Sequence, residues 1–188
     1  MRKIVLFALL LSLTSCKQMI LFVYGIHNPR VVSAEEIEKN IKKYKLNADY
    51  NIVLSEEGFL KYYSENYSIN ELFIYTQNGK LVLPKDTNTC SSNTQKFVQY
   101  YNDSSLVNYA DTTELNSFNQ YFMNLDGSKV TIATEKPYVA VVFWASYTGR
   151  LNKDLSANWV GELKKDKDIL VVCVNLDVQE NWKEIEIK

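Results

Sequence analysis

The stretch with the clearest structural pattern begins with YVAVVFW at Tyr138–Trp144 and ends with ILVVCVNL at Ile169–Leu176. Continuous apolar runs of this length are typical of strands buried on both faces of a parallel sheet. The segment between them, residues 149–164, carries a large apolar side chain at every fourth position, as in an amphipathic helix: Leu151, Leu155, Trp159 and Leu163. Strand, helix and strand together predict a right-handed parallel βαβ unit at the C-terminal end of the chain.

The chain before this unit predicts helices that alternate with short strands. Ser33-Ala34-Glu35-Glu36 is a capping-box pattern, and Asn78-Gly79 suits a type I′ hairpin turn. The stretch Asp103–Tyr109 is predicted to be a loop between two halves. The predicted helices cover residues 34–45, 55–66 and 92–102, and another starts at Asp111 and carries Leu115, Phe118, Phe122 and Leu125 on one face. The predicted strands cover residues 50–54, 72–76, 81–83 and 129–132.

The N-terminal residues, MRKIVLFALLLSLTSC, have two basic residues, the apolar stretch Ile4–Leu13 and then Leu13-Thr14-Ser15-Cys16. About ten apolar residues suit the apolar region of a signal peptide, whereas a helix that spans a bilayer needs roughly twenty. The pattern resembles a bacterial lipoprotein signal over residues 1–15. The resemblance implies that Cys16 is acylated, becomes the first mature residue and holds the protein on a membrane of the cell envelope.

The alternative is an uncleaved membrane helix over residues 4–26, because Met19–Tyr24 is apolar again. Such a helix would place Lys17 near its middle, at a cost of roughly 2.5–3.5 kcal/mol. The lipoprotein interpretation avoids this cost. Residues 16–32 then form a membrane-proximal segment that lacks the composition of a flexible tether, so we expect a first strand or a membrane-facing patch there.

Length and charge limit the classes of function. Without residues 1–15 the chain has 173 residues, which suits one domain over residues 33–188 with halves at about 33–103 and 111–188. This mature chain carries 19 basic and 22 acidic residues, and no basic tract points to a nucleic-acid partner.

Acylation of Cys16 leaves Cys90 and Cys173 as thiols in an oxidising compartment. They can form a disulfide or a reactive pair, or Cys173 can be a small apolar residue of its strand. The single histidine, His27, precedes an Asn28-Pro29 turn and is predicted to lie in a loop. With one histidine, the sequence predicts neither a metal site nor a cofactor.

Residues 123–177 resemble the start of the TlpA-type thioredoxin-like disulfide reductases of the cell envelope. The resemblance covers about a third of the mature chain. It implies an α/β fold, a thioredoxin-like three-layer sandwich. The matching features are Leu125-Asp126-Gly127, Lys136-Pro137, Phe143-Trp144-Ala145-Ser146 and Val174-Asn175-Leu176-Asp177.

The family reaction needs a Cys-x-x-Cys pair at the start of the helix, where the attacking thiol has a lowered pKa. In this chain Thr148 and Leu151 stand at the two thiol positions. A threonine hydroxyl is far less acidic than a thiol, so it does not replace the nucleophile. The resemblance implies that the surface of Tyr147, Thr148, Gly149 and Arg150 is exposed, because in that family it faces the substrate. We expect this surface to contact a partner without chemistry, and the alternative is that these residues only cap and cover the helix.

The segment Phe59–Lys80 resembles the helix, strand and Asn-Gly-Lys turn that normally follow the βαβ unit in thioredoxins. Here this segment precedes the unit, so we expect a circularly permuted thioredoxin fold. The cis-proline of the family would fall near Asn70 and is absent.

Two functions of different classes follow. The first is a redox-inactive binding or assembly module, anchored in the envelope and contacting an envelope protein. The second is a thiol-disulfide oxidoreductase that uses Cys90 and Cys173 in a non-standard arrangement. Glycan binding by tyrosines is a further alternative, although half-buried aromatic packing explains them as well: Tyr62, Tyr63, Tyr67, Tyr100 and Tyr101.

The lipoprotein signal makes a direct prediction. Cys16→Ser should abolish lipid attachment and leave a precursor that retains residues 1–15, because the acylated sulfur is missing. Growth with labelled fatty acid, followed by electrophoresis of the purified protein, measures this. Label on the Cys16→Ser protein would contradict the assignment.

Overall fold

The computed structural model describes residues 21–65, 69–84, 107–109, 114–133 and 135–182. The predicted signal peptide, Cys16, Cys90 and the predicted helix at 92–102 lie outside the described residues, and so do Tyr67, Tyr100 and Tyr101.

The described residues form helices and short strands in alternation. The helices are α1 (Ala34–Tyr44), α2 (Glu56–Ser64), α3 (Glu114–Asn119) and α4 (Ala157–Leu163). The strands are β1 (Val31–Val32), β2 (Tyr50–Leu54), β3 (Glu71–Thr76), β4 (Val82–Pro84), β5 (Val107–Tyr109), β6 (Phe122–Met123), β7 (Tyr138–Trp144), β8 (Ile169–Asn175) and β9 (Val178–Gln179). Ser33 and Ser55 cap α1 and α2, each accepting a backbone N–H from the first turn.

A mixed five-stranded sheet organises the fold, in the order β3-β7-β8-β2-β6. The neighbours β7, β8 and β2 are parallel, and the outer strands β3 and β6 run antiparallel to them. Tyr138 lies opposite Ile169 and Trp144 lies opposite Asn175. The prediction that the two apolar runs are adjacent parallel strands is confirmed.

The hairpin around Asn78-Gly79 shares this sheet through β3, as predicted. β3 pairs with β7 along its whole length, and Tyr75 bridges to Leu81. The predicted type I′ turn is wrong, because that type needs a positive φ at both central residues and Asn78 does not have one. Instead the N–H of Gly79 donates to the carbonyl oxygen of Thr76 at 2.8 Å and Gly79 has a φ of 80°, as in a type I turn that ends in a left-handed glycine. β4 pairs with β5 in a separate two-stranded sheet. The predicted loop at 103–109 is therefore wrong for Val107–Tyr109, because backbone pairing with β4 makes these residues a strand.

Helices cover both faces of the sheet. One core cluster holds Ile37 and Tyr44 of α1 and Trp159 and Leu163 of α4 against the sheet. The other holds Tyr62 of α2 and two residues of α3, Leu115 and Phe118. The result is an α/β arrangement of helices, sheet and helices in which β7 and β8 are buried on both faces, as their continuous apolar sequences predicted.

Two predicted elements differ from the structure. α3 ends at Asn119, so Phe122 lies in β6, where it pairs with β2 at the sheet edge. The predicted strand at 129–132 is reduced to a bridge between Met123 and Lys129, because Asn119 Oδ1 accepts the N–H of Ile132 at 2.8 Å.

The helix predicted over residues 149–164 is interrupted by a π-helix at Asn152–Ser156 before α4. Asn152 and Ser156 are buried by this change of pitch, a position that regular apolar spacing did not predict.

Candidate functional site

The candidate site lies at the C-terminal ends of β7 and β8. These two strands are parallel neighbours and end side by side, so the segments that follow them are adjacent. After Trp144 the chain forms a 3₁₀ turn at Ser146–Thr148, and after β8 it continues through Leu176 to Asp177. The N–H of Leu176 donates to the carbonyl oxygen of Trp144 at 2.8 Å, so the two segments leave the sheet side by side.

Asp177 is a buried carboxylate, 1% exposed, that binds the start of this turn. Its two oxygens accept the backbone N–H of Ser146 at 3.0 and 2.9 Å, and Oδ1 accepts the Ser146 hydroxyl at 2.9 Å. Asn175 Nδ2 donates to Oδ2 at 2.7 Å. Burial raises the pKa of Asp177 above its ordinary 3.8, although these hydrogen bonds act in the opposite direction.

Thr148, at the position where the resemblance places the attacking thiol, is buried in a polar network. Its Oγ1 lies 2.8 Å from the carbonyl oxygen of Ala145 and 2.9 Å from Asn152 Oδ1. Asn152 Nδ2 donates to the same Ala145 carbonyl at 2.8 Å. Amide and carbonyl oxygens are too weakly basic to take a proton from a hydroxyl, so this network holds the turn and does not activate Thr148.

Asn70, at the position expected for the cis-proline, joins the same network. Its Nδ2 lies 3.0 Å from both Asn152 Oδ1 and Ser156 Oγ. The described residues contain no cis peptide bond. β3 therefore starts beside the turn through a polar contact.

Tyr147 points into the protein. Its hydroxyl lies 2.7 Å from that of Tyr63, and its side chain belongs to the core cluster that contains Tyr62. Burial raises the pKa of Tyr147 and also that of Tyr63, so both hydroxyls stay protonated at neutral pH.

Residues 21–28, here called the N-terminal strap, lie across the turn. The N–H of Arg150 donates to the carbonyl oxygen of Tyr24 at 2.6 Å, and the N–H of His27 donates to that of Tyr147 at 3.0 Å. A Cβ atom at Gly149 would overlap the carbonyl oxygens of Tyr24 and Gly25. Gly149 also has a φ of 58°, so glycine is needed there both for conformation and for space.

The strap changes the expected partner surface. Tyr147 and Thr148 are 7% and 6% exposed and Gly149 is buried, whereas Arg150 is exposed. The expectation of exposure is wrong for the first three residues, because the strap covers the turn and Tyr147 packs on Tyr63. Only Arg150 of these four residues is available to a partner.

Two clefts flank the strap and share His27, Lys43 and Tyr44 in their walls. One has a volume of about 430 Å³ and reaches Ser146. The other has a volume of about 420 Å³ and is lined by the strap together with Gly149, Arg150 and Lys153. His27 is exposed in the strap, in agreement with its prediction as a loop residue.

Cys173 is a free thiol in the middle of β8 and is completely buried. Burial raises the pKa of the Cys173 thiol, which does not favour a thiolate nucleophile. Its proposed partner Cys90 lies outside the described residues.

The described residues contain no group of three histidine, cysteine or acidic residues placed to hold a metal ion. The helices in this part of the chain are too short or too polar to span a bilayer. Of the tyrosines considered for glycan binding, Tyr62 is fully buried and Tyr63 is 37% exposed.

No protein-family model matches the chain, and no curated protein or solved structure matches it either.

Sequence reasoning missed most of the polar residues that build this site. The matching motifs contain Ser146 and Asp177 but predict no contact between them, and Asn152 and Ser156 lie outside the motifs. The signal for Ser146 and Asp177 is their position, since polar residues that follow two adjacent parallel strands meet at the same end of the sheet. Asn152 and Ser156 lie in the π-helix and have no such signal.

The strap approaches Gly149 so closely that a methyl group added there should destabilise the protein. Gly149→Ala should lower the free energy of unfolding by about 1–3 kcal/mol and release the strap, because φ is positive and Cβ overlaps two carbonyl oxygens. Urea unfolding and limited proteolysis within residues 21–28 measure these effects. The matched control is Gly161→Ala in α4, where a Cβ meets nothing within 4 Å, and it should raise stability by about 0.5–1 kcal/mol. Equal stabilities for the two variants would contradict the close approach.

The burial of Asp177 predicts a pH dependence. Its pKa is higher in the folded than in the unfolded chain, so the folded state binds the extra proton between those two values. The free energy of unfolding of the wild type, relative to Asp177→Asn, should rise as pH falls from neutral through the folded pKa. It should level off below 3.8. Urea titrations over a pH series test this, and a pH-independent difference would show that Asp177 is not desolvated.

Proposed function

We propose that this protein is a lipid-anchored protein of the bacterial cell envelope whose domain is a redox-inactive thioredoxin-like module. Its role is binding or assembly. The lipid on Cys16 is its contact with the membrane, at the periplasmic face of the outer membrane or at the cell surface, and an envelope protein is its second partner.

The observation that supports this proposal best is the closed turn after β7. The hydroxyl of Thr148 lies between weakly basic oxygens, and the strap covers the backbone at Gly149. A dithiol enzyme needs a thiolate that a substrate disulfide can reach at this place. The geometry here fits a structural turn, and it leaves Arg150 exposed beside it.

The sheet order supports a permuted thioredoxin-like fold. Helix α2 and the hairpin of β3 and β4 follow the βαβ unit in thioredoxins but precede it in this chain. β3 nevertheless pairs antiparallel with β7, on the side away from β8. Asn70 then occupies the start of β3 beside the turn, where the family has its cis-proline.

The absence of thiol chemistry at residues 148 and 151 makes a prediction. The purified mature protein should not accelerate the reduction of insulin by dithiothreitol, because neither thiol position carries a cysteine. The turbidity of precipitating insulin chains measures the rate, with a catalytic thioredoxin as positive control. Turnover that disappears in Cys90→Ser or Cys173→Ser would contradict the proposal and favour the oxidoreductase alternative.

A further inference from the structure

The strap presents apolar side chains to solvent directly after the lipid attachment site in the sequence. Phe22 is 87% exposed and Val23 is 56% exposed. Both line the cleft of about 420 Å³ beside the turn. Leu21 is 36% exposed, so three consecutive apolar residues face solvent. Contiguous exposed apolar patches, in contrast to scattered single residues, mark protein or membrane interaction sites.

The other wall of this cleft is basic. It carries Lys43, Arg150 and Lys153, and no acidic side chain is among the described residues that line it. Asp154 balances part of the charge of Arg150, with Oδ2 3.4 Å from Nε. Within the described part of the chain, no carboxylate forms an ion pair with Lys43 or Lys153. A basic patch on a domain of net negative charge fits an anionic surface.

The length of the chain between Cys16 and Leu21 places this surface close to the membrane. Five residues span at most about 18 Å when fully extended. An acylated Cys16 therefore keeps the strap within reach of the lipid headgroups whatever conformation residues 17–20 adopt. The negative surface potential of an anionic bilayer is screened over about 8 Å at physiological salt, so it acts more strongly on the cations beside the strap than on those at the opposite end of the sheet.

We propose that this cleft is a docking surface for the phosphate-bearing headgroups of an anionic bilayer. Phe22 and Val23 enter the interfacial region, and Lys43, Arg150 and Lys153 bind lipid phosphates. The strap then orients the domain. The turn at Asn78-Gly79 lies beside the start of β7, at the opposite end of the sheet from the strap, so it faces away from the membrane. This proposal rests on the lipid anchor at Cys16 and adds the lipid class and the orientation.

Site-directed spin labelling of the lipidated protein tests the orientation. In a Cys90→Ser background, a nitroxide is attached at Val23→Cys or, as the control position, at the exposed hairpin residue Asn78→Cys. The proteins are reconstituted in vesicles of phosphatidylcholine alone or of equal parts phosphatidylcholine and phosphatidylglycerol. Collision with oxygen reports the bilayer, and collision with a water-soluble nickel chelate reports water.

The label at position 23 should be shielded from the chelate and accessible to oxygen in the anionic vesicles, whereas the label at position 78 should remain in water. The triple variant Lys43→Gln/Arg150→Gln/Lys153→Gln removes the three positive charges of the cleft. Each charge should contribute roughly fivefold to docking, so the ratio of docked to undocked protein should fall by about 100-fold. The matched control, Lys80→Gln/Lys165→Gln/Lys167→Gln, removes three exposed cations elsewhere and should have little effect.

The failures are distinguishable. Protein that floats with the vesicles while both labels are equally accessible to the chelate would overturn the docking surface and leave the anchor intact. Equal losses in the two triple variants would show that general charge, not this cleft, orients the domain. Protein without fatty acid that does not float would overturn the anchor and the docking surface together.

Discussion

The carboxylate of Asp177 accepts the backbone N–H of Ser146, and the geometry of the whole edge of the sheet depends on this bond. A buried carboxylate is costly unless hydrogen bonds compensate for the lost water, and here Asn175 and the Ser146 hydroxyl add to the backbone donor. Because Asp177 follows β8 and Ser146 follows β7, the bond joins the ends of the two most buried strands. It sets the direction in which the chain leaves β7.

The direction of that exit determines which side chains are available for chemistry. It turns Tyr147 into the core and directs the hydroxyl of Thr148 to Ala145 and Asn152. Gly149 has no side chain, so the strap can approach its backbone closely. The end of β7 is thus occupied by internal hydrogen bonds, and Arg150 is the exposed side chain among residues 147–150. The closed turn and the absence of cysteine at residues 148 and 151 both support the proposal of a redox-inactive module.

The sequence predicted the βαβ unit and the hairpin well, because their signals are local. The two continuous apolar runs predict buried strands. The apolar residue at every fourth position predicts the helix between them, and Asn-Gly predicts the turn of the hairpin. The site was predicted poorly, because its contacts join distant residues. Asn70 meets Asn152, and Tyr24 meets Gly149, through the packing of the whole domain. The same reason explains β5, since Val107–Tyr109 has no strong strand pattern of its own and depends on pairing with β4.

The strap closes the turn after β7, and amide hydrogen exchange detects this contact at single residues. The N–H groups of Arg150 and His27 donate to Tyr24 and Tyr147 across this contact. In the folded protein both should exchange at least about 100-fold more slowly than in an unstructured peptide, which corresponds to an opening free energy of roughly 3 kcal/mol. Exchange of both amides at the rate of an unstructured peptide would show that the strap does not lie on the turn and would contradict the account.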